Sequence, residues 1–295
     1  MPDTFFTKSP HWGWWAVTEF FIAGIAGAAA AIAALLWLVG NRNDRFVARY
    51  GFAIATVGSA LSGLLLTFDL KRPERFWHML LFSKTLGPTF QKWWAPMADG
   101  AWALFLLGSF SFLILVGSLA EGGRLPSGLA FLAGGPLGAV LAALAGIAGL
   151  FYAGYKGVLL SATNRPLWGD TPWLGILLLA SGFAMASALL LLLIRDRAPA
   201  VSQWLRQLLI GSLALTLLVV VILVATLDAD VRRLVLQNVY GVVLLVAVLV
   251  GALVPLALAW RPQLLGRSTL PSAAVLVLVG GFLLRIAMLL SSEAA

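Results

Sequence analysis

Glu19, Asp69, Tyr152, Tyr155, Lys156 and Arg285 are ionisable or phenolic side chains that lie in, or against the ends of, long apolar runs. Charge at membrane depth is costly, so each is a candidate for function. Glu19 sits in WAVTEFFIAG, just past a Trp pair. An acid held away from bulk water can exchange protons with a substrate; the plainer reading is an interfacial Glu that reaches water. Asp69 closes an apolar run and precedes Leu-Lys-Arg-Pro, where a helix cap or a loop salt bridge competes with function. Asp99 opens a run, and a carboxylate suits a helix N-terminus, which is the reading preferred for it. Lys156 ends a run from which it can snorkel. Arg285, inside GGFLLRIAMLL, cannot be read as surface. A buried guanidinium needs a carboxylate or carbonyl partner, or a wet cavity.

The elements that must position these groups follow from composition. Of the 295 residues 61% are apolar and 11% charged, against about 45–50% and 25% in soluble domains. The mean hydropathy is +0.97. One soluble core cannot absorb so much apolar side chain, so the sequence reads as an all-α polytopic membrane protein. A span needs about 20 apolar residues. Eight such runs occur: Trp15–Val39, Val47–Phe68, Met97–Leu119, Phe131–Tyr155, Trp173–Ile194, Leu205–Leu227, Val239–Trp260 and Pro271–Ser291. The first is too long for a cleavable signal peptide and lacks a basic leader. Trp residues cluster near the run ends, as an interfacial belt requires. The tetrapeptide GIAG occurs at Gly24–Gly27 and again at Gly146–Gly149, which two four-helix halves would explain and which chance also produces in a sequence so rich in small residues.

Eight spans place both termini on one face, with the long 69–96 loop and the segment SATNRPLWGDTP (161–172). Lys and Arg are nearly balanced between the faces. With the long loop set aside, the positive-inside rule favours termini outside. The net charge of +8 serves topology and lipid headgroup contact, and no basic patch suited to nucleic acid is visible. There is no Cys, which excludes disulfides, iron–sulfur clusters and thiolate zinc sites within the protein. The two histidines, His11 and His78, lie outside every span. Neither can serve as a helix-borne haem ligand or as the base of an intramembrane Ser–His protease. No metal site is expected.

The string TFDLKRPERFWHML, a Trp-rich loop and a helix starting near Met97 resemble the NrfD/PsrC family of polysulfide-reductase-like membrane subunits. WWAVTEFFIAGIAGA, YAGYKGVLLSATNRPLWGDTPWL and the Gly pair before Arg285 are similar to further family pieces, so the resemblance covers nearly the whole sequence. It implies eight transmembrane helices in two four-helix bundles without haem. On that division, residues 1–130 hold the first three helices and the 69–96 loop. Residues 131–172 complete the first bundle, and 173–295 form the second. It further implies a quinone or quinol site (menaquinone or ubiquinone) in the first bundle, near the face of the termini. A ferredoxin-like iron–sulfur subunit would dock there, with a molybdopterin catalytic subunit beyond it, in a bacterial inner membrane with the termini periplasmic.

Carried over by motif, the polar position of the first helix is Glu19, where some relatives have His. The aspartate of the loop string is Asp69. The phenol of the fourth helix is Tyr152, with Tyr155 as the second match. Lys156, Ser161 and Asn164 follow, as quinone hydrogen-bond donors or loop packing. A quinone site needs an apolar slot, a donor at each carbonyl and a proton path. Glu19, Asp69 and Tyr152 share one membrane level by topology, so the expectation is that Glu19 and Tyr152 contact the head group while Asp69 relays its proton. Arg72, Arg75 and Arg165 are expected at the partner interface, and Arg285 on a proton path through the second bundle. The competing readings are a secondary transporter, which intramembrane charge and glycine-rich helices would also suit, and a pure anchor that binds no quinone.

Overall fold

A computed structural model describes residues 12–293, apart from 71, 84, 90–94, 164, 195–196, 262 and 265. Eight helices are long and apolar enough to cross a membrane. These are α1 (Trp14–Leu38), α2 (Arg45–Asp69), α3 (Pro96–Glu121), α4 (Gly135–Ser161), α5 (Leu174–Ile194), α6 (Pro199–Thr226), α8 (Val239–Trp260) and α9 (Thr269–Glu293). A short helix, α7 (Ala229–Leu236), joins α6 to α8. Among the described residues no strand forms, only an isolated bridge between Leu81 and Pro88 in the long loop. Helices suit hydrocarbon because they satisfy their own backbone polar groups.

The boundaries differ from the apolar runs where backbone chemistry overrides hydropathy. The run at Phe131 is broken by Gly134, Gly135 and Pro136, with Gly135 at φ +49. So Phe131 lies in a 3₁₀ turn, Ser127–Leu132. Proline is favoured in the first turn of a helix, and α4 starts there and runs on to Ser161. Tyr152, Tyr155 and Lys156 are therefore inside α4, not at its end. α6 likewise starts early, at Pro199. α8 is interrupted by a π-turn over Leu249–Leu253, and Pro255 follows it.

α1 packs against α2 and α4, and α3 against the same two. Beyond them α5 contacts α6 and α9, and α8 contacts α9. α5 also lies along α1 and α4, so the boundary between the two expected bundles is a packed layer. α1 is buried along most of its length. Close approach there depends on glycine. A Cβ on Gly27 would lie 2.5 Å from the Gly149 carbonyl oxygen, and one on Gly157 would overlap the backbone of Gly175. Helices in lipid associate mainly by packing, so small residues at the contact are what permit it. Gly149→Val is accordingly expected to force α1 and α4 apart. The check is the yield of monodisperse protein after solubilisation, which should fall several-fold relative to Gly154→Val, because a Cβ at Gly154 meets open space.

Candidate functional site

The second turn of α1 places Glu19 toward α4, where Tyr152 and Lys156 stand four residues apart on one helix face. The Tyr152 hydroxyl donates to Glu19 Oε1 at 2.6 Å. Lys156 Nζ donates to both carboxylate oxygens, at 2.8 and 2.7 Å. All three side chains are buried, Glu19 and Tyr152 at 1% exposure and Lys156 at 3%. Lys156 thus does not snorkel. Its ammonium is held by the ion pair and lies over the rings of Tyr152 and Phe20, 4.6 and 4.9 Å from their centroids. An ammonium attracted to aromatic faces gains where water is absent. Ser62 of α2, buried, adjoins the Tyr152 hydroxyl.

Tyr155 forms the next layer. Its ring lies within 12° of the Tyr152 plane at 6.5 Å, and within 17° of Phe151 at 5.9 Å. It packs against the bare backbone of Gly100 in α3, where any Cβ would overlap the phenol. On its far side is an open cleft of about 440 Å³ between α3 and α4, lined by Pro96, Asp99, Phe151, Tyr155 and Val158 among others. Among the described residues the Tyr155 hydroxyl makes no hydrogen bond, while the Asp99 carboxylate is near enough to act on it electrostatically. The arrangement is a buried acid–base–phenol cluster, one aromatic layer behind a slot that is mostly apolar. It sets titratable groups close behind a slot whose walls are mostly apolar.

The structure brings Glu19, Tyr152, Tyr155 and Lys156 together. It does not bring Asp69 to them. Asp69 is exposed at the last turn of α2 and makes no hydrogen bond or ion pair among the described residues. It lies seven residues beyond Ser62, about 10 Å along the helix axis. Asp99 stands in the first turn of α3, as the helix-end reading has it, and also lines the cleft. The sequence signal for it is its place at the same membrane level as the other groups. Arg72 and Arg75 are exposed on the long loop, while Arg165 donates to the Ser292 carbonyl at 3.3 Å and ties the 161–172 segment to the end of α9. Trp168 reinforces that tie, donating to the Met288 carbonyl at 2.9 Å. Asn164 and His11 lie outside the described residues. Arg285 stands apart from the cluster. It is fully buried and donates to Ser181 Oγ at 2.9 Å and to the carbonyls of Gly281 and Leu178 at 3.1 and 3.3 Å. No carboxylate pairs with it among the described residues.

A family model described as polysulphide reductase, NrfD, matches residues 3–294. The protein belongs to the NrfD family. One of the polysulfide reductase subunits of Wolinella succinogenes is similar, 31% identical over 187 residues, or 59% of the sequence. The matched stretch spans 55% of that relative's length. The NrfD resemblance read from the loop strings and helix motifs is thus correct, and so is the all-α, eight-span fold class. In this NrfD protein, α1, α3 and α4 supply the cluster and the cleft. Among its described residues no group of three or more His, Asp or Glu is assembled that could hold a metal ion.

Proposed function

We propose that this protein is the quinone-interacting membrane subunit of a multi-subunit oxidoreductase, and that it exchanges electrons between the membrane quinone pool and an iron–sulfur partner. The observation that carries the reading is the Glu19–Tyr152–Lys156 cluster, lying one aromatic layer behind the open cleft between α3 and α4. Oxidising a quinol releases two electrons and two protons. With no Cys in the sequence, the electrons must pass to a cluster in another subunit, and the protons need acceptors at the slot. Family membership and the named relative support a reductase partner complex.

The burial of Glu19 and Tyr152 revises the expected division of labour. Tyr155 and Asp99 line the slot, so they touch the head group. The Tyr155 hydroxyl donates to one carbonyl, and the Asp99 carboxylate takes a proton from the second hydroxyl of a quinol, or returns it in the reverse direction. Behind Tyr155, the Glu19 carboxylate, with Tyr152 and Lys156 bonded to it, takes the proton released by the other quinol hydroxyl, or returns it in the reverse direction. The outlet on this reading is Asp99 at the interface in place of Asp69. Arg72 and Arg75, on the exposed loop, and Arg165, on the 161–172 segment, face a ferredoxin-like iron–sulfur subunit, with a molybdopterin catalytic subunit beyond it. The termini lie on the periplasmic side of a bacterial inner membrane. Menaquinone and ubiquinone both suit the slot.

The test uses the purified complex with a soluble quinol analogue. Tyr155→Phe should weaken analogue binding and lower turnover roughly tenfold, the scale of one lost hydrogen bond to the substrate. Asp99→Asn should leave binding within a few-fold and lower turnover by about 100-fold. A complex in which both variants keep wild-type binding and turnover excludes this cleft as the site. A transporter reading would place its substrate at the break in α8, but the cavity there is only about 20 Å³, too small for any metabolite.

A further inference from the structure

The outer face of α4 carries a row of bulky apolar side chains with one gap in it. Val140, Leu144, Ile147, Phe151 and Val158 are spaced by three, four or seven residues, which puts them on one side of a helix. All five are exposed. The position that completes the row, between Phe151 and Val158, is Gly154. Glycine weakens a helix interior relative to alanine, so its presence there needs a cause. At other glycines of α4 the cause is contact. A Cβ on Gly146 or Gly149 would collide with α1, and one on Gly157 with the backbone of Gly175 in α5. At Gly154 a Cβ would have no neighbour within 4 Å among the described residues. The approach of α5 to this residue is made through the Gly154 carbonyl oxygen, 3.4 Å from where a Cβ on Gly175 would sit. That approach does not require a missing side chain at 154.

The open side of Gly154 is the cleft between α3 and α4. Gly154 lines it together with Phe151, Tyr155 and Val158 of α4 and with Pro96 and Asp99 of α3. The gap in the row is therefore part of the α4 wall of the slot, with Phe151 one turn before it and Val158 one turn after. Where there is no Cβ, a ligand can come into contact with the backbone itself. A flat ring uses such a recess well, because its whole face can rest on the bare helix. Tyr155 and Asp99 border the same space, within reach of polar groups at the edge of the ring.

We infer that Gly154 is a specificity-determining residue of the slot: the face of the quinone ring lies on the α4 backbone at Gly154, between Phe151 and Val158, with its oxygens turned to Tyr155 and Asp99. The inference rests on the quinone reading of the cleft, and adds to it where the ring sits and what limits its width. A side chain at position 154 takes volume from the ring and leaves the groups that bond the ring oxygens in place. Affinity therefore falls with the size of that side chain, and falls further for a wide ring than for a narrow one.

The test is binding of two soluble quinone analogues, one with a single ring and one with two fused rings, to the purified complex carrying Gly154→Ala, Gly154→Val or Gly154→Leu. The control is Gly211→Leu, at an exposed glycine of α6 whose Cβ also meets nothing within 4 Å. Affinity for the fused-ring analogue should change little in Gly154→Ala and fall by about tenfold or more in Gly154→Leu, the scale of overfilling a packed site. The loss for the single ring should be smaller, and Gly211→Leu should bind both analogues as the wild type does. Equal losses for the two analogues would show that the slot is distorted and would overturn the inference. So would a Gly154→Leu complex that fails to assemble while Gly211→Leu assembles, since Gly154 would then be needed for packing. If neither leucine variant assembles, Gly154→Val against Gly154→Ala decides by the same criteria. Wild-type binding in Gly154→Leu with weakened binding in Tyr155→Phe puts the ring elsewhere in the slot and overturns this inference alone. If Tyr155→Phe and Asp99→Asn are without effect as well, the quinone reading falls with it.

Discussion

Lys156→Met is expected to be the most damaging single substitution in the first four spans, and adding Glu19→Gln to the same protein is expected to undo most of the damage. Among the described residues Lys156 is the cation paired with Glu19, and both side chains are almost wholly shielded from water. Removing one member of a buried pair leaves the other charge uncompensated, at a cost of about 3–5 kcal/mol. Replacing both with uncharged groups of similar volume removes the desolvation penalty along with the attraction, and is often nearly neutral. In the double variant the amide oxygen introduced at position 19 can still accept from Tyr152. The measurement is thermal unfolding of the solubilised complex. Lys156→Met should lower the transition sharply, and the double variant should return most of the way. If the double variant is as unstable as the single one, Lys156 is stabilising by packing its stem, and the ion pair is not what holds this region.

The spans are legible in the sequence because a run of apolar residues long enough to cross a bilayer is a coarse signal that survives local error. Finer features are not. Hydropathy misplaces the start of α4 because Gly134 and Gly135 are apolar by composition, yet with Pro136 they decide where a helix can begin. The break in α8 is hidden because only Gly251 and Pro255 mark it. Lys156 has the sequence context of a snorkelling residue because its partner, Glu19, is 137 positions away. The meeting of Glu19 with Tyr152 can be anticipated, since both lie near one face on antiparallel helices. The choice between Asp69 and Asp99 cannot. Both end or begin a helix at the same level, and which of them borders the cleft depends on how each helix is rotated. Helices that are apolar all round carry no stripe that would fix rotation. It is set instead by contacts such as Tyr155 on Gly100 and Gly27 on Gly149, which are particular to the folded state.

The stability-restored double variant also isolates the chemistry. With Glu19→Gln and Lys156→Met combined, the first four spans should be folded, and the slot at Tyr155 and Asp99 should be intact, because neither substituted side chain lines it. Binding of a quinone analogue should therefore stay within a few-fold of wild type. Quinol-dependent electron delivery to the partner should fall by about 100-fold or more, the lower end of what a positioned acid–base group contributes. The two readouts separate three ideas. If binding and turnover fall together, the buried pair acts by shaping the slot. If turnover survives while binding is unchanged, protons leave the substrate through Asp99 alone, and the buried cluster serves stability only. Loss of turnover with binding retained is the outcome that the geometry favours. The Tyr152 hydroxyl and the Lys156 ammonium both point their protons at the Glu19 carboxylate. That carboxylate is therefore where the hydrogen bonds behind Tyr155 converge, and among the described residues it is the base in that layer placed to receive a proton moving inward from the slot.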